Sequence, residues 1–123
     1  MTSITDGTSN TIAFAEGYAS CGPAGNQGGM AHGQRTSGGG NYHPSFANSA
    51  RGFGAANVGP GSLFQVKPLV ANCRPGLAQS LRSGAINVAM LDGTVRSVSA
   101  SVSGSTWWAA CTPRGNDLIG SDF

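Results

Sequence analysis

Asp92 and Gly93 stand between two short apolar-rich runs: Ile86, Asn87, Val88, Ala89, Met90 and Leu91 before them, and Thr94, Val95, Arg96, Ser97 and Val98 after. No other stretch limits the fold as strongly. Gly enters the positive-φ region at no steric cost and Asp tolerates it, so Asp-Gly between strand-like runs predicts a β-hairpin over residues 86–98. The simplest form is a type I′ turn in which Asp92 is selected for backbone geometry.

Other segments agree with a sheet-rich fold. Residues 4–10 hold Gly7 together with Thr5, Asp6, Thr8, Ser9 and Asn10, whose side-chain oxygens bond nearby amides, and all six favour a turn. Residues 11–18 follow a period of two that predicts a strand with Ile12, Phe14 and Glu16 on one face and Ala13 and Ala15 on the other. A second short strand is expected over 62–66, ended by Lys67-Pro68, and a connector over 69–79. Ser105 or Thr106 caps a short helix over 107–111, which stops before Pro113. The apolar tail 118–123 is expected to dock as an edge strand.

Composition narrows the class further. The 123 residues leave room for one domain, 1–123, and no fixed-period repeat supports a solenoid or propeller. Charged residues make up 10%, against about 25% in ordinary globular chains, and 20 glycines imply many turns. The net charge is +2, and the Lys and Arg residues are scattered from Arg35 to Arg114. A nucleic-acid partner, which needs cations gathered on one face, is therefore not expected. The chain has no apolar run long enough for a membrane span and starts without a signal-peptide pattern, so it reads as soluble as given.

Catalytic signatures are missing. There is no Gly-x-Ser-x-Gly elbow, and Gly52-x-Gly54 and Gly59-x-Gly61 lack the third glycine of a dinucleotide loop. His32 and His43 lie eleven residues apart (43 − 32) in a Gly-rich stretch with Cys21, looser than metal-binding spacing, and read better as surface or hydrogen-bonded side chains. Cys21, Cys73 and Cys111 form no Cys-x-x-Cys pair. One disulfide between two of them with a leftover thiol, in an extracytoplasmic domain, and three free buried thiols are both compatible with the spacing. Residues 21–61 lack periodicity and are too long for an idle connection in a compact domain. The aromatic islands around Tyr42 and Phe46 and around Phe53 are expected to pin that stretch to the core. Trp107 and Trp108 point about 100° apart on a helix, so one anchors it to the sheet while the other is free for a subunit contact.

Taken together, Ile4 to Thr11, Phe64 to Val66 with Asn72-Cys73, Asn87 with Asp92-Gly93, and Thr106 to Ala110 with the tail resemble the carboxy-terminal part of a planctomycete-type family of unknown function. These are prepilin-like proteins marked by a His, nine residues and then Asp-Gly. The signature positions carried here are Asp6, Gly7, Asn10, Asn87, Asp92 and Gly93. The resemblance implies an α+β, mainly antiparallel, pseudopilin-like head with a central Asp-Gly hairpin, a long Gly-rich loop and a short carboxy-terminal helix. In full-length members the head is carried on an amino-terminal hydrophobic helix, which these residues lack. Arg82 stands where the hallmark His would be, so no role resting on an imidazole carries over. The resemblance also suggests calcium, with Asp92 as its ligand, joined by Asp6, Asp117 and Asp122 only if the fold gathers them. No other cofactor is expected.

Two functions follow. The first is a non-enzymatic structural or interaction module of a pilin- or secretion-like surface assembly outside the cytoplasm, which self-associates or contacts envelope partners, with Trp107 and Trp108 as contact candidates. The second is an extracytoplasmic ligand-binding domain whose 21–61 loop closes on calcium, a glycan or a small molecule.

Overall fold

The computed structural model describes residues 3–18, 21, 46, 58–74 and 76–123. Strands β1 (Ile12–Ala15), β4 (Ala85–Met90) and β5 (Val95–Ser99) form an antiparallel sheet in the order β1-β4-β5. Among the described residues between β1 and β4 lie two 3-10 turns, Gly59–Ser62 and Val70–Asn72, and two short strands, β2 (Gln65–Val66) and β3 (Gln79–Ser80). These two pair in parallel, Gln65 with Gln79 and Val66 with Ser80. One helix, α1 (Gly104–Cys111), follows the sheet. The class is thus mixed α+β, mainly sheet, and no helix of the described residues is long and apolar enough to cross a membrane.

Alternation in β4 sets the sheet's two faces. Ile86, Val88 and Met90 are buried and the residues between them are not. On the inner side they join Ile12, Phe64, Ala78, Val98, Val102, Trp107 and Ala110 in one apolar core. Phe46 packs against its rim, with its ring centroid 6.1 Å from that of Trp107, as expected of the aromatic pins. Trp107 is wholly buried, meets Phe64 edge-on at 5.0 Å, and donates its indole N–H to the Ser62 carbonyl at 3.0 Å. That bond matters because a buried indole N–H without a partner would cost the full desolvation of the group.

Helix α1 starts one residue before Ser105, with Ser103 and not Ser105 or Thr106 as its cap: the Ser103 hydroxyl accepts from the Thr106 amide at 3.3 Å. Ser103 has the extended backbone a cap needs, whereas Ser105 and Thr106 already lie in the helix. A Cβ on Gly104 would fall 2.3 Å from the Pro60 carbonyl oxygen, so the helix opens in backbone contact with the first 3-10 turn.

Four further expectations are corrected. Ala13 is an extra residue in β1, where Ile12 faces Met90 and Phe14 faces Ala89, and this bulge turns Ile12 inward and Phe14 outward although they are two apart. Only residues 65 and 66 of the expected 62–66 strand are extended in a ladder, since Ser62 closes a 3-10 turn through its hydroxyl to the Gly59 carbonyl. The connector over 69–79 ends in β3, which pairs with β2. The tail forms no strand; Leu118 is exposed, and Ile119 and Phe123 pack on the core around a turn in which the Phe123 amide donates to the Gly120 carbonyl.

Replacing Trp107 with Ala should lower unfolding free energy by about 3–5 kcal/mol. Trp107→Phe should still cost about 1–3 kcal/mol, because the Ser62 carbonyl loses its buried donor. Urea titration followed by circular dichroism measures both.

Candidate interaction face

Among the described residues, no element covers the sheet's outer face. Cross-strand register puts Phe14 beside Ala89 and Ala89 beside Val95, so the three form an apolar row across all three strands. Phe14 is 75% exposed and Val95 73%, unusual for side chains aligned on a sheet. Isolated exposed apolar residues need no explanation, whereas their alignment in a row makes this face the candidate contact surface. The neighbouring row is polar. Asn87 faces Ser97 across β4 and β5, and the Glu16 carboxylate accepts from both the Asn87 side-chain amide at 2.7 Å and its backbone amide at 3.2 Å.

The signature residues build turns that frame this face. Gly7 has φ +89°, and its carbonyl accepts from the Asn10 amide and the Thr11 hydroxyl. The Asn10 side-chain amide donates to the Asp6 carbonyl. The Asp6 carboxylate reaches across the molecule to accept from the Gly115 and Asn116 amides at 2.8 and 2.9 Å. From the same turn, the Thr8 and Thr11 carbonyls accept from the Asp92 and Leu91 amides. Residues 6–11 therefore staple the β4–β5 connection on one side and the segment after α1 on the other.

Residues 91–94 join β4 to β5 with only Gly93 at positive φ (+86°), so the type I′ form, which needs two such residues, is not adopted. The Met90 carbonyl accepts from the Gly93 amide and the Met90 amide donates to the Thr94 carbonyl, the pattern of a three-residue loop ending in a left-handed Gly. Asp92 serves through its side chain instead. Its carboxylate accepts from the Thr94 hydroxyl at 2.7 Å and the Thr94 amide at 2.9 Å, and these bonds hold its pKa below the usual carboxylate value.

Among the described residues no three His, Cys, Asp or Glu side chains are grouped to hold a metal ion. Asp6, Asp92, Asp117 and Asp122 are thus not gathered into one such carboxylate group. His32, His43, Tyr42, Phe53 and all of the 21–61 stretch except Cys21, Phe46 and residues 58–61 lie outside the described residues.

The disulfide links Cys21 to Cys73 with their Cα atoms 5.0 Å apart, and both residues are buried. Two glutamines invisible to motif reading brace it. Gln65 brackets Cys73 by donating to the Asn72 carbonyl and accepting from the Arg74 amide. Buried Gln79 donates to the Arg74 and Leu77 carbonyls and accepts from the Tyr18 amide, while its own amide donates to the Glu16 carbonyl. The available signal was two Gln on short extended segments either side of a Cys. Cys111 is the free thiol, and burial pushes its pKa up to about 12, which removes it as a nucleophile.

Of the tryptophan pair, Trp107 is the anchor and Trp108 is half-buried, so Trp108 alone presents surface to a partner. Past α1, Asp122 locks the tail to the helix start by accepting from the Thr106 hydroxyl and the Ser103 amide. Those bonds lower its pKa from 3.8 to about 2. Asp122 binds its proton more weakly in the folded chain, so its contribution is complete above the ordinary carboxylate range and is lost as pH falls from about 4 to about 2.

An acid titration by NMR should accordingly show the Ser103 and Phe123 amides shifting together between about pH 4 and pH 2, with Asp122→Ala showing the released pattern at neutral pH. Thiol alkylation followed by mass spectrometry should add no label to the native chain at pH 8, one after denaturation and three after denaturation with reduction.

No curated protein and no solved structure matches the chain. One family model does, described as "Protein of unknown function (DUF1559)", over residues 1–104. That match takes in the turn over residues 6–11, the disulfide, the glutamine braces and the whole sheet with its outer face. The chain belongs to the DUF1559 family of proteins of unknown function.

Proposed function

We propose that this chain is a non-catalytic interaction module, a pseudopilin-like head of a pilin- or secretion-like assembly outside the cytoplasm, which associates with its own copies or with envelope partners. The observation that carries the reading is the exposed row Phe14, Ala89 and Val95 on a sheet face that no described element covers. Apolar surface arranged in this way gains most when another surface removes it from water, at about 25 cal/mol per Å² buried. Trp108 adds a second half-exposed aromatic contact.

Other features support the same reading. Family membership agrees with the resemblance carried by Asp6, Gly7, Asn10, Asn87, Asp92 and Gly93, and the H-x9-DG prepilin-like assignment is the finer form of it. The Cys21–Cys73 disulfide fits an oxidising compartment. The described signature side chains are occupied in turns and braces, an arrangement suited to presenting a rigid surface.

Sedimentation of the 123-residue chain over a wide concentration range, together with capture of envelope proteins on the immobilised chain, tests the proposal. Association with itself or retention of envelope proteins is expected, and Phe14→Ser combined with Val95→Ser should weaken the retention of envelope proteins at least tenfold. Both positions are exposed, so the double variant should keep its folding stability within about 1 kcal/mol. A chain that stays monomeric at the highest concentration and retains no envelope protein would contradict the proposal.

A further inference from the structure

Among the described residues β5 is an open edge of the three-stranded sheet, and its backbone pattern is self-complementary. The Ala100 amide donates to the Gly84 carbonyl and the Met90 amide to the Thr94 carbonyl. In an antiparallel ladder the bonded pairs alternate, so Arg96 and Val98 spend their backbone groups on Val88 and Ile86 of β4. Val95, Ser97 and Ser99 therefore direct their N–H and C=O groups away from β4. The other side of β4 confirms the phase: Asn87, opposite Ser97, turns its amide and carbonyl to Glu16 at the end of β1.

Among the described residues nothing pairs with the backbone groups of Val95 and Ser97 or with the Ser99 amide, and the Ser99 carbonyl accepts from Val102 alone. Natural sheets guard such edges with Lys, Pro, bulges or covering segments. β5 has none of the first three. Its single charge, Arg96, points to the inner face, where its guanidinium lies 5.9 Å from the centroid of the Phe123 ring. β1 differs: it is bulged, and its Glu16 carbonyl already accepts from the Gln79 amide.

We propose that β5 pairs antiparallel with β5 of a second copy about a two-fold axis at Ser97, joining two sheets into one of six strands. The proposal rests on the association reading above and names its partner and geometry. A two-fold at Arg96 would set two guanidinium groups directly opposite each other, which is destabilising. The axis at Ser97 sets Arg96 against Val98 of the other copy and pairs Ser97 with Ser97 and Val95 with Ser99, for about six new backbone bonds. The two outer apolar rows then lie on one continuous face.

Sedimentation of wild type, Ser97→Pro and Phe14→Ser, with circular dichroism to establish folding, tests the edge. Proline at 97 removes an outward donor without taking a bond from the β4 ladder, so Ser97→Pro should raise the dimer dissociation constant at least 30-fold while Phe14→Ser changes it less than threefold. If Ser97→Pro unfolds, a nitroxide at Ser97→Cys in a Cys111→Ser background decides by pulsed dipolar spectroscopy: spin pairs closer than about 20 Å are expected in the dimer. A folded Ser97→Pro chain that still dimerises with wild-type affinity, or spin pairs beyond about 35 Å, would overturn the edge and leave the association reading standing. A wild-type chain that is monomeric throughout would overturn the edge, and envelope capture then decides the broader reading.

Discussion

The fold depends on one buried side chain. Trp107 lies where helix α1, the first 3-10 turn and the inner face of the sheet meet, and its single polar group is satisfied by the Ser62 carbonyl. Removing such a ring from water is worth several kcal/mol, a large share of the marginal stability of a small domain. The seat demands close approach by the backbone. Gly104 opens the helix against the Pro60 carbonyl, where a methyl group would collide with main chain, and Phe64 supplies the edge-on aromatic partner. Helix, turn and sheet are thereby set relative to one another by a single contact cluster.

That arrangement uses up one face of the sheet, and no described element covers the other. Inward residues of β4 and β5 pack under α1 and the tail, whereas in the outer row Phe14 and Val95 are largely exposed and Ala89 is half-buried. The polar side chains around it are spent locally: Glu16 on Asn87, Asp92 on Thr94, Asp6 on Gly115 and Asn116, Asp122 on Ser103 and Thr106. The staples and the disulfide brace the sheet behind that row.

The sheet-rich α+β class was legible because the period-two burial at Ile86, Val88 and Met90 is a local property of the chain. The exposure of Phe14 was not, since one bulge at Ala13 reverses the face of everything beyond it and leaves no mark on the apolar pattern. β3 was missed for a related reason: two residues paired in parallel across a disulfide-bearing connector have no periodicity to read. The helix cap shifted from Ser105 or Thr106 to Ser103 because several hydroxyls compete there and the tertiary contact with Asp122 helps select one. The split of the tryptophans into an anchor and a half-exposed neighbour followed from helical geometry alone. Which cysteines join depends on long-range packing that spacing does not encode, and the Asp6 bonds to residues 115 and 116 are equally remote in sequence.

Amide hydrogen exchange at low and high protein concentration tests the central claim most directly, because it reads the outer surface residue by residue. The account predicts that the Val95, Ser97 and Ser99 amides exchange rapidly in dilute solution and become protected as concentration rises, while amides of β1, β4 and α1 stay unchanged. Protection that is independent of concentration, or that appears on α1 and the tail with the sheet's outer face unaffected, would contradict it.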